Sequence, residues 1–224
     1  GNGCKGACWP LSLVAPAFTE TSDMPFILSD PTTLLLWAVI GYLFGSIPSG
    51  MIFARVMKLG NLREIGSGNI GATNVLRTGS KVAAALTLLF DAGNAIVPLL
   101  LARYFADEDA AQLAALAAFI GHCFPVWLKF KGGKGVATLI GIYLALYFPL
   151  GLAVCATWLI CALISRYSSL SALLAAGMAP VWAAFLGVGS TMILGFILGA
   201  LTYARHWGNI KRLRVGTESK IGQK

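Results

Sequence analysis

The feature that most constrains this chain is a series of long apolar blocks that carry almost no charge. Blocks 34–54, 82–102 and 111–128 contain one acidic residue between them and no Lys or Arg, and each is close to the length of one membrane-spanning helix, about 20 residues. Two longer blocks, 135–164 and 167–204, contain no charged residue. Hydrophobic residues make up 57% of the chain and charged residues 12%, against about 45–50% and 25% in soluble domains. The composition excludes a water-soluble domain and predicts an all-α, polytopic membrane protein.

Each of the two longer blocks has room for two crossings. A single helix of 30 residues, the length of block 135–164, would extend for about 45 Å, well beyond a hydrocarbon core of about 30 Å. Pro149, close to Gly151, divides this block. The glycine-rich stretch 187–190 divides the 38-residue block. We therefore expect seven transmembrane helices.

The basic residues alternate with these segments in a way that indicates their orientation. Of the 17 Lys and Arg residues, 15 lie in the first, third and fifth connections or after the last segment, and basic connections face the cytoplasm. The second connection carries the acidic run 107–109 instead. We expect the N-terminus outside and the C-terminus in the cytoplasm. This topology accounts for the net charge of +8 without a nucleic acid partner.

The first 23 residues differ from the rest of the chain. They lack the basic segment followed by an apolar segment that a signal peptide requires, and Met24 is a candidate native start. We expect residues 1–23 to be a leader, a tag or another non-native extension. Residues 24–224 are expected to form one seven-helix domain.

The first cytoplasmic loop combines glycines, amides and an arginine. It contains G-x-G-x-x-G, but a dinucleotide site needs a preceding strand and a βαβ unit, which two flanking membrane helices exclude. Glycines let backbone N–H groups converge on an anion, and an arginine binds phosphate through two parallel hydrogen bonds. The pattern favours a phosphate site over the alternative, an ordinary turn with Ser67 or Asn69 as a helix cap. The candidate residues are Gly66, Gly68, Asn69, Asn74 and Arg77.

A second glycine-rich loop, 130–138, opens the fourth predicted span. It does not fit the Walker A pattern, but it places glycines and lysines at a helix N-terminus, which is a favourable site for an anion. The alternative is a cluster of topological lysines with flexible glycines. Because two such loops face one compartment, we favour phosphate recognition. The candidates are Gly132, Gly133, Lys134 and Gly135.

Two smaller polar groups follow later spans. His206 and Asn209 are three residues apart just after the last span, so they share one helical face, although a histidine at a membrane boundary is also a common interfacial anchor. Ser169 belongs to a second cluster with Arg166 and Ser168 in the fifth connection.

Two polar residues lie inside predicted spans. Asp91 has Asn94 one helical turn away, and His122 precedes the Cys-Phe-Pro sequence at the end of its span. Because a carboxylate within the membrane needs a partner, we expect Asp91 and His122 to be architectural.

Together these segments resemble the bacterial acyl-phosphate:glycerol-3-phosphate acyltransferase family. Order and spacing match from about residue 34 to residue 218. The matching features are the runs 45–50, 66–77, 121–122 and 130–138, with His206 and Asn209.

The resemblance implies an enzyme of the bacterial inner membrane whose site faces the cytoplasm. Such an enzyme moves a fatty acyl group from acyl phosphate to the 1-hydroxyl of sn-glycerol 3-phosphate. The products are lysophosphatidic acid and phosphate, in the first step of phospholipid synthesis. The resemblance also implies catalytic roles for Ser67 and Arg77, glycerol-phosphate binding by the second loop, activity-related roles for His206 and Asn209, and a structural role for Glu218.

The residues fit this chemistry without a cofactor. Acyl phosphate is a mixed anhydride and is already activated, and the sequence has no group of His, Asp and Glu spaced as metal ligands. The H-x-x-x-x-D pattern of other glycerol-phosphate acyltransferases is also absent, because Trp127 and Lys211 stand where the aspartate would follow the two histidines. We therefore expect neither a metal nor a cofactor. The expected partners are acyl phosphate, glycerol 3-phosphate and membrane lipids.

The expected mechanism leaves the base open. A covalent acyl-Ser67 intermediate is a further alternative, although the sequence shows no adjacent His–Asp pair to activate the serine. Arg77 and Lys134 would stabilise the charge that develops during acyl transfer, while Ser67, His206 and Asn209 orient the substrates. The base is either a substrate phosphate oxygen, with a pKa near about 6, or His206.

A transporter or binding protein for an organic phosphate is the alternative from another functional class. Broken helices, a midplane Asp91 and basic glycine loops are consistent with it. The lack of an evident inverted repeat and the placement of all anion-binding loops on one face argue against it.

Overall fold

The computed structural model describes residues 27–222, so the predicted leader, residues 1–23, lies outside the described residues. Within 27–222 the chain forms α-helices and no strands, which confirms the all-α class. The helices are α1 (Pro31–Gly45), α2 (Ser49–Val56), α3 (Ala72–Leu76), α4 (Lys81–Phe105), α5 (Glu108–Cys123), α6 (Val136–Leu146), α7 (Phe148–Ser165), α8 (Ser168–Phe185), α9 (Met192–Arg205) and α10 (Trp207–Arg214). Short 3₁₀ turns occupy Val126–Leu128 and Gly189–Thr191.

Five stretches of the described residues are long and apolar enough to cross a membrane. They are Pro31–Val56, Lys81–Phe105, Glu108–Leu128, Phe148–Ser165 and Ser168–Phe185. Helix α6 is apolar but only 11 residues long, a rise of about 16 Å, and α9 has 14 residues. A helical protein with several membrane spans is confirmed, and the number seven stays a prediction.

The two longest apolar blocks divide at the predicted places. Helix α7 follows α6 after one extended residue and has Pro149 in its first turn, where the missing N–H of proline interrupts no helical hydrogen bond. Gly187 follows the end of α8 in the left-handed conformation, with φ of 69°, which glycine adopts readily.

The first apolar block, by contrast, is two helices rather than the single helix expected. Pro48 has no N–H to donate, and α1 stops before it while α2 begins after it. The break leaves carbonyl groups that other helices satisfy. The Trp127 indole N–H donates to the Ser46 carbonyl at 2.7 Å. The Asn94 amide donates to the Ile47 carbonyl at 3.2 Å.

Helices α1 and α5 pack through small residues. Gly41 lies against the main chain of Ala114, and Gly45 lies against that of Ala118. A methyl group on either glycine would overlap the carbonyl oxygen that faces it. Such close backbone approach is typical of helix association in membranes. The contact fixes α5, whose C-terminal end supports the candidate site.

The outer surface of the helices is apolar. Large side chains with exposed fractions between 66% and 81% occur on α1, α4, α7 and α8 and include Leu35, Phe105, Ile164 and Phe185. An extensive exposed apolar surface marks a region that contacts a partner or a membrane. Its distribution over several helices is suited to contact with lipid acyl chains.

We predict that Gly45→Ala lowers the stability of the helix bundle. The added methyl group would overlap the Ala118 main chain, and overpacking of this kind typically costs about 1–3 kcal/mol. Gly93→Ala on α4 is the matched control, because a methyl there meets no atom within 4 Å. Thermal unfolding in detergent should show a lower midpoint for Gly45→Ala only. Equal midpoints for both variants would contradict the close packing of α1 on α5.

Candidate active site

Asn74 organises the loop between α2 and α4. Its Oδ1 accepts hydrogen bonds from the Ser67 backbone N–H at 3.1 Å, from the Ser67 hydroxyl at 3.3 Å and from Arg77 Nη1 at 3.4 Å. Its Nδ2 donates to the carbonyls of Leu62 at 3.0 Å and Asn69 at 2.7 Å. Because the amide is buried and its hydrogen-bonding capacity is used, Asn74 positions Ser67 and Arg77. The contact of the Asn74 amide with a substrate, which the sequence predicts, stays a prediction.

The glycines of this loop allow a tight turn. Gly66 and Gly68 have φ of 52° and 67°, a region that L side chains seldom occupy. A methyl on Gly66 would also overlap Arg77 and Asn74. The Gly68 N–H donates to the Ile65 carbonyl at 2.9 Å. This N–H group is therefore committed within the loop.

The second glycine loop is held through its main chain from two sides. The N–H groups of Gly132 and Gly133 donate to the carbonyls of Cys123 and His122 at 3.1 and 3.0 Å. Arg205 donates to the carbonyls of Gly132 at 3.2 Å and Gly133 at 3.0 Å. The glycine pattern had suggested that these N–H groups are directed at an anion. In this structure they donate to carbonyl groups at the end of α5 instead. The glycines instead permit close packing, and their contact with a substrate stays a prediction.

Lys134 is the side chain that this loop presents. Gly135 follows it with φ of 77° and lies where a methyl would overlap the Phe119 ring, and α6 begins at the next residue. The Lys134 ammonium donates to Asn209 Oδ1 at 2.6 Å. Lys134 is half-buried, so its charge lies partly below the surface of this end of the bundle.

Glu218 collects three polar groups around the same point. Its Oε1 accepts from Asn209 Nδ2 at 2.6 Å and from the Ser169 hydroxyl at 2.8 Å. Its Oε2 accepts from Arg212 Nε at 2.7 Å. These contacts hold the C-terminal segment against α8 and α10, in agreement with the structural role expected of Glu218.

The first loop joins this cluster through the next residue of the C-terminal segment. The Ser219 hydroxyl accepts from Arg77 Nη2 at 2.5 Å. Arg63 donates to the Gly68 carbonyl at 3.3 Å and to the Lys131 carbonyl, which ties the two glycine loops together.

A further contact links the first loop to α8. The hydroxyls of Thr73 and Ser168 lie 3.1 Å apart, beside Ser169. The candidate residues of all four polar segments therefore lie at one end of the helix bundle.

His206 lies at the junction between α9 and α10. Its Nδ1 is 2.8 Å from the Thr202 carbonyl. Because a carbonyl only accepts, Nδ1 carries the proton and Nε2 of the neutral ring has the free lone pair. Helix α9 ends at Arg205 and α10 begins at Trp207, with His206 between them. The side chains of His206 and Asn209 are both buried, and their shared helical face stays a prediction.

The charges in this cluster perturb one another. Burial lowers the pKa of Lys134 to about 8, with help from the charges of Arg212, Arg205 and Arg77, while Glu218 opposes the shift. Lys134 and three arginines thus concentrate positive potential at one point. A site of this kind attracts a phosphate group.

Two further pKa values describe the acid and base groups. Burial and the Lys134 charge lower the pKa of His206 to about 4, so the ring is neutral at physiological pH. Burial tends to raise the pKa of Glu218, but hydrogen bonds from Asn209, Ser169 and Arg212 outweigh it and lower the value. Glu218 is therefore an anion when it orders these groups.

Sequence reasoning did not single out Arg63 or Arg205 as site residues. Both act by donating to main-chain carbonyls, an interaction that leaves no spacing pattern in a sequence. Within residues 27–222, no three His, Cys, Asp or Glu side chains are grouped as a metal site would require.

Comparison with known proteins decides the family. A model of the family described as glycerol-3-phosphate acyltransferase matches residues 35–216. The chain belongs to the glycerol-3-phosphate acyltransferase family. Glycerol-3-phosphate acyltransferases from Ruegeria pomeroyi and Roseobacter denitrificans are 57% and 60% identical to it over 201 and 198 residues. The matches cover 90% and 88% of this chain and 99% of each relative.

Two crystal structures have the same fold. Both are of PlsY, an integral membrane glycerol 3-phosphate acyltransferase, in its glycerol 3-phosphate form and in its lysophosphatidic acid form. Their TM-scores are 0.79 and 0.76, with 36% and 34% sequence identity. Each match covers 85% of this chain and 96% of PlsY. The family and the integral-membrane fold expected from the sequence are thereby confirmed.

We predict that activity on glycerol 3-phosphate falls as the pH rises above about 8, because Lys134 then loses the proton that makes it a phosphate ligand. Below that pH the ammonium is present. Arginine at this position stays protonated to beyond about pH 12, so in Lys134→Arg the fall should move to higher pH even if turnover is reduced. Initial rates at limiting glycerol 3-phosphate between pH 6 and about pH 10 test this. An unchanged fall in Lys134→Arg would assign the titration to another group.

Proposed function

We propose that this chain transfers a fatty acyl group from acyl phosphate to the 1-hydroxyl of sn-glycerol 3-phosphate, giving lysophosphatidic acid and phosphate. The observation that carries the proposal is the convergence of Arg77, Lys134, Arg205 and Arg212 near one half-buried point, at the end of a bundle whose outer surface is apolar. Both substrates carry phosphate, and the donor carries an acyl chain. The family membership and the two PlsY structures support the same reaction.

The proposed topology has seven crossings, with α6 and α9 as short spans. Four polar segments, those around residues 63–77, 129–134, 166–169 and 205–222, contact one another at one end of the bundle. Segments that meet at one end are separated by an even number of crossings, which is the pattern that seven spans produce. With basic residues facing the cytoplasm, the proposed topology has the N-terminus outside and the site at the cytoplasmic face of the bacterial inner membrane.

The reaction needs no base from the protein. The acceptor hydroxyl oxygen attacks the acyl carbonyl carbon, the bond from that carbon to the phosphate oxygen breaks, and the hydroxyl proton passes to a phosphate oxygen. A substrate phosphate, with a second pKa of about 6, is a better base than His206, whose pKa is about 4. His206 instead offers Nε2 as an acceptor that orients the hydroxyl.

The cations supply the electrostatic part of catalysis. Arg77 and Lys134 neutralise the phosphates and stabilise the oxyanion that forms at the acyl carbon. Ser67 donates to Asn74 Oδ1 at 3.3 Å, and an amide oxygen is not a base. Ser67 is therefore placed to orient the donor rather than to form an acyl-enzyme.

A product assay tests this function against the transporter alternative. Purified protein supplied with radiolabelled glycerol 3-phosphate and palmitoyl phosphate should form a lipid-extractable product. Palmitoyl-CoA in place of palmitoyl phosphate should give none. Binding of glycerol 3-phosphate without any lipid product would contradict the proposal and favour a transporter or binding protein.

We predict that Arg77→Lys reduces turnover by about 10²-fold or more, the usual cost of removing one preorganised transition-state donor. Lysine keeps the charge but loses the planar pair of donors that reaches Asn74 and Ser219. Arg55→Lys is the matched control, since Arg55 is exposed at the end of α2 and the same exchange there should change little. Near-normal turnover of Arg77→Lys would reduce Arg77 to a topological charge and leave Lys134 as the chief cation.

A further inference from the structure

The proposed mechanism uses neither of the two polar side chains buried beneath the second glycine loop. Asp91 on α4 and His122 on α5 are 3% and 6% exposed. His122 Nδ1 lies 3.9 Å from Asp91 Oδ1, a close approach that is longer than a direct hydrogen bond. Desolvation makes such groups costly inside a membrane protein, so their presence at this point calls for a role.

The His122 imidazole packs against Gly133 of the second glycine-rich loop. The three atoms nearest to a methyl group built on Gly133 are all ring atoms of His122, and Nε2 would overlap it. The Gly133 N–H also donates to the His122 carbonyl at 3.0 Å. Arg205 donates to the Gly133 carbonyl at 3.0 Å. Gly133 is therefore in contact with both an imidazole and a guanidinium.

Asp91 supports the same loop at two points. Its carboxylate faces the Nδ1 side of His122, away from the side that faces Gly133. Its main-chain carbonyl accepts from the Thr138 hydroxyl at 3.1 Å, and Thr138 lies in the first turn of α6. Helix α4 thus contacts structures on both sides of Lys134 in the chain, Gly133 through His122 before it and Thr138 after it.

We propose that Asp91 and His122 are positioning residues for acceptor binding. The buried His122 imidazole fixes the position of Gly133 and thereby holds the Lys134 ammonium against Asn209 and the phosphate of glycerol 3-phosphate. This inference rests on the proposed function, because it assigns Lys134 to the acceptor phosphate. A displacement of about 1 Å in such a group is enough to cost a large factor in rate. The pair acts through the loop and touches no reacting atom.

A double-mutant cycle between Gly133 and His122 tests the inference. Gly133→Ala should raise KM for glycerol 3-phosphate about tenfold or more, because its methyl would overlap the ring. His122→Ala removes the ring on which Gly133 packs and should raise the same KM several-fold. In the double variant the methyl fills space that the ring has left, so its KM should lie below that of Gly133→Ala. KM for acyl phosphate should change little throughout.

The cycle has clear opposite outcomes. If Gly133 served only as a phosphate contact, the two changes would multiply and the double variant would have the highest KM. Equal increases in KM for both substrates would likewise overturn the inference. Gly93→Ala, where a methyl meets no atom within 4 Å, is the matched control and should behave like the parent protein.

Two additions keep the test decisive if a variant folds poorly or if the proposed reaction is wrong. Asp91→Asn preserves the side-chain size and should raise KM for glycerol 3-phosphate alone, by less than His122→Ala does. An unchanged KM would show that Asp91 has no positioning role. The same Gly133–His122 cycle can be measured as thermal unfolding midpoints without substrate, and the midpoint of the double variant should then lie above that of Gly133→Ala. If the double variant has a higher midpoint than Gly133→Ala but the protein forms no acyltransferase product, the proposed function is wrong and the contact of Gly133 with His122 stands. If the two changes lower the midpoint additively, the contact of Gly133 with His122 is wrong.

Discussion

The Lys134 ammonium is the charge on which the rest of the site depends. It is half-buried, and three arginines nearby oppose its protonation, so an isolated side chain there would tend to lose its proton. The Asn209 amide and the Glu218 carboxylate offset this tendency, the first by a direct hydrogen bond and the second by its charge. Helix α10 carries Asn209 and the C-terminal segment carries Glu218, and the hydrogen bond between their side chains holds both groups near Lys134. Positive potential held in this way is available to a phosphate.

The glycine-rich segments owe their composition to close packing more than to exposed N–H groups. Gly66 lies under Arg77 and Asn74, and Gly133 lies on His122, so each glycine lets a functional residue sit where a side chain would displace it. The backbone of the second loop is occupied by α5 on one side and by Arg205 on the other. A flexible loop is thereby held rigid, as a preorganised site requires.

Much of this could be predicted from the sequence, because apolar block length and charge alternation depend on the membrane alone. The divisions near Pro149 and Gly187 followed from local chemistry and occur in the structure. The break at Pro48 was missed because block 34–54 is uncharged and of single-span length. The carbonyl groups that the break frees accept from Trp127 and Asn94, which lie elsewhere in the chain. Because Pro149 divides block 135–164, short helices were expected there, and α6 is 11 residues long.

The candidate site was predictable in its residue types and less so in its contacts. Motif spacing indicated Arg77, Lys134, His206 and Asn209, which the structure brings to one end of the bundle. It could not indicate that Asn74 Oδ1 would accept hydrogen bonds from Ser67 and Arg77, or that Arg205 would donate to main-chain carbonyls. These contacts join residues far apart in the chain, and periodicity carries no information about them. The resemblance to a family supplied the reaction, and the geometry supplies the reasons for the residues.

A structure of this protein with glycerol 3-phosphate bound would test the central claim most directly. The account predicts the phosphate within hydrogen-bond distance of Lys134 Nζ, with Gly133 still resting on His122. It also predicts that Arg77 exchanges the Ser219 hydroxyl for a substrate oxygen. A phosphate bound away from Lys134, for example in the cavity of about 390 Å³ lined by Arg55 and Lys58, with Arg77 still bonded to Ser219, would contradict it.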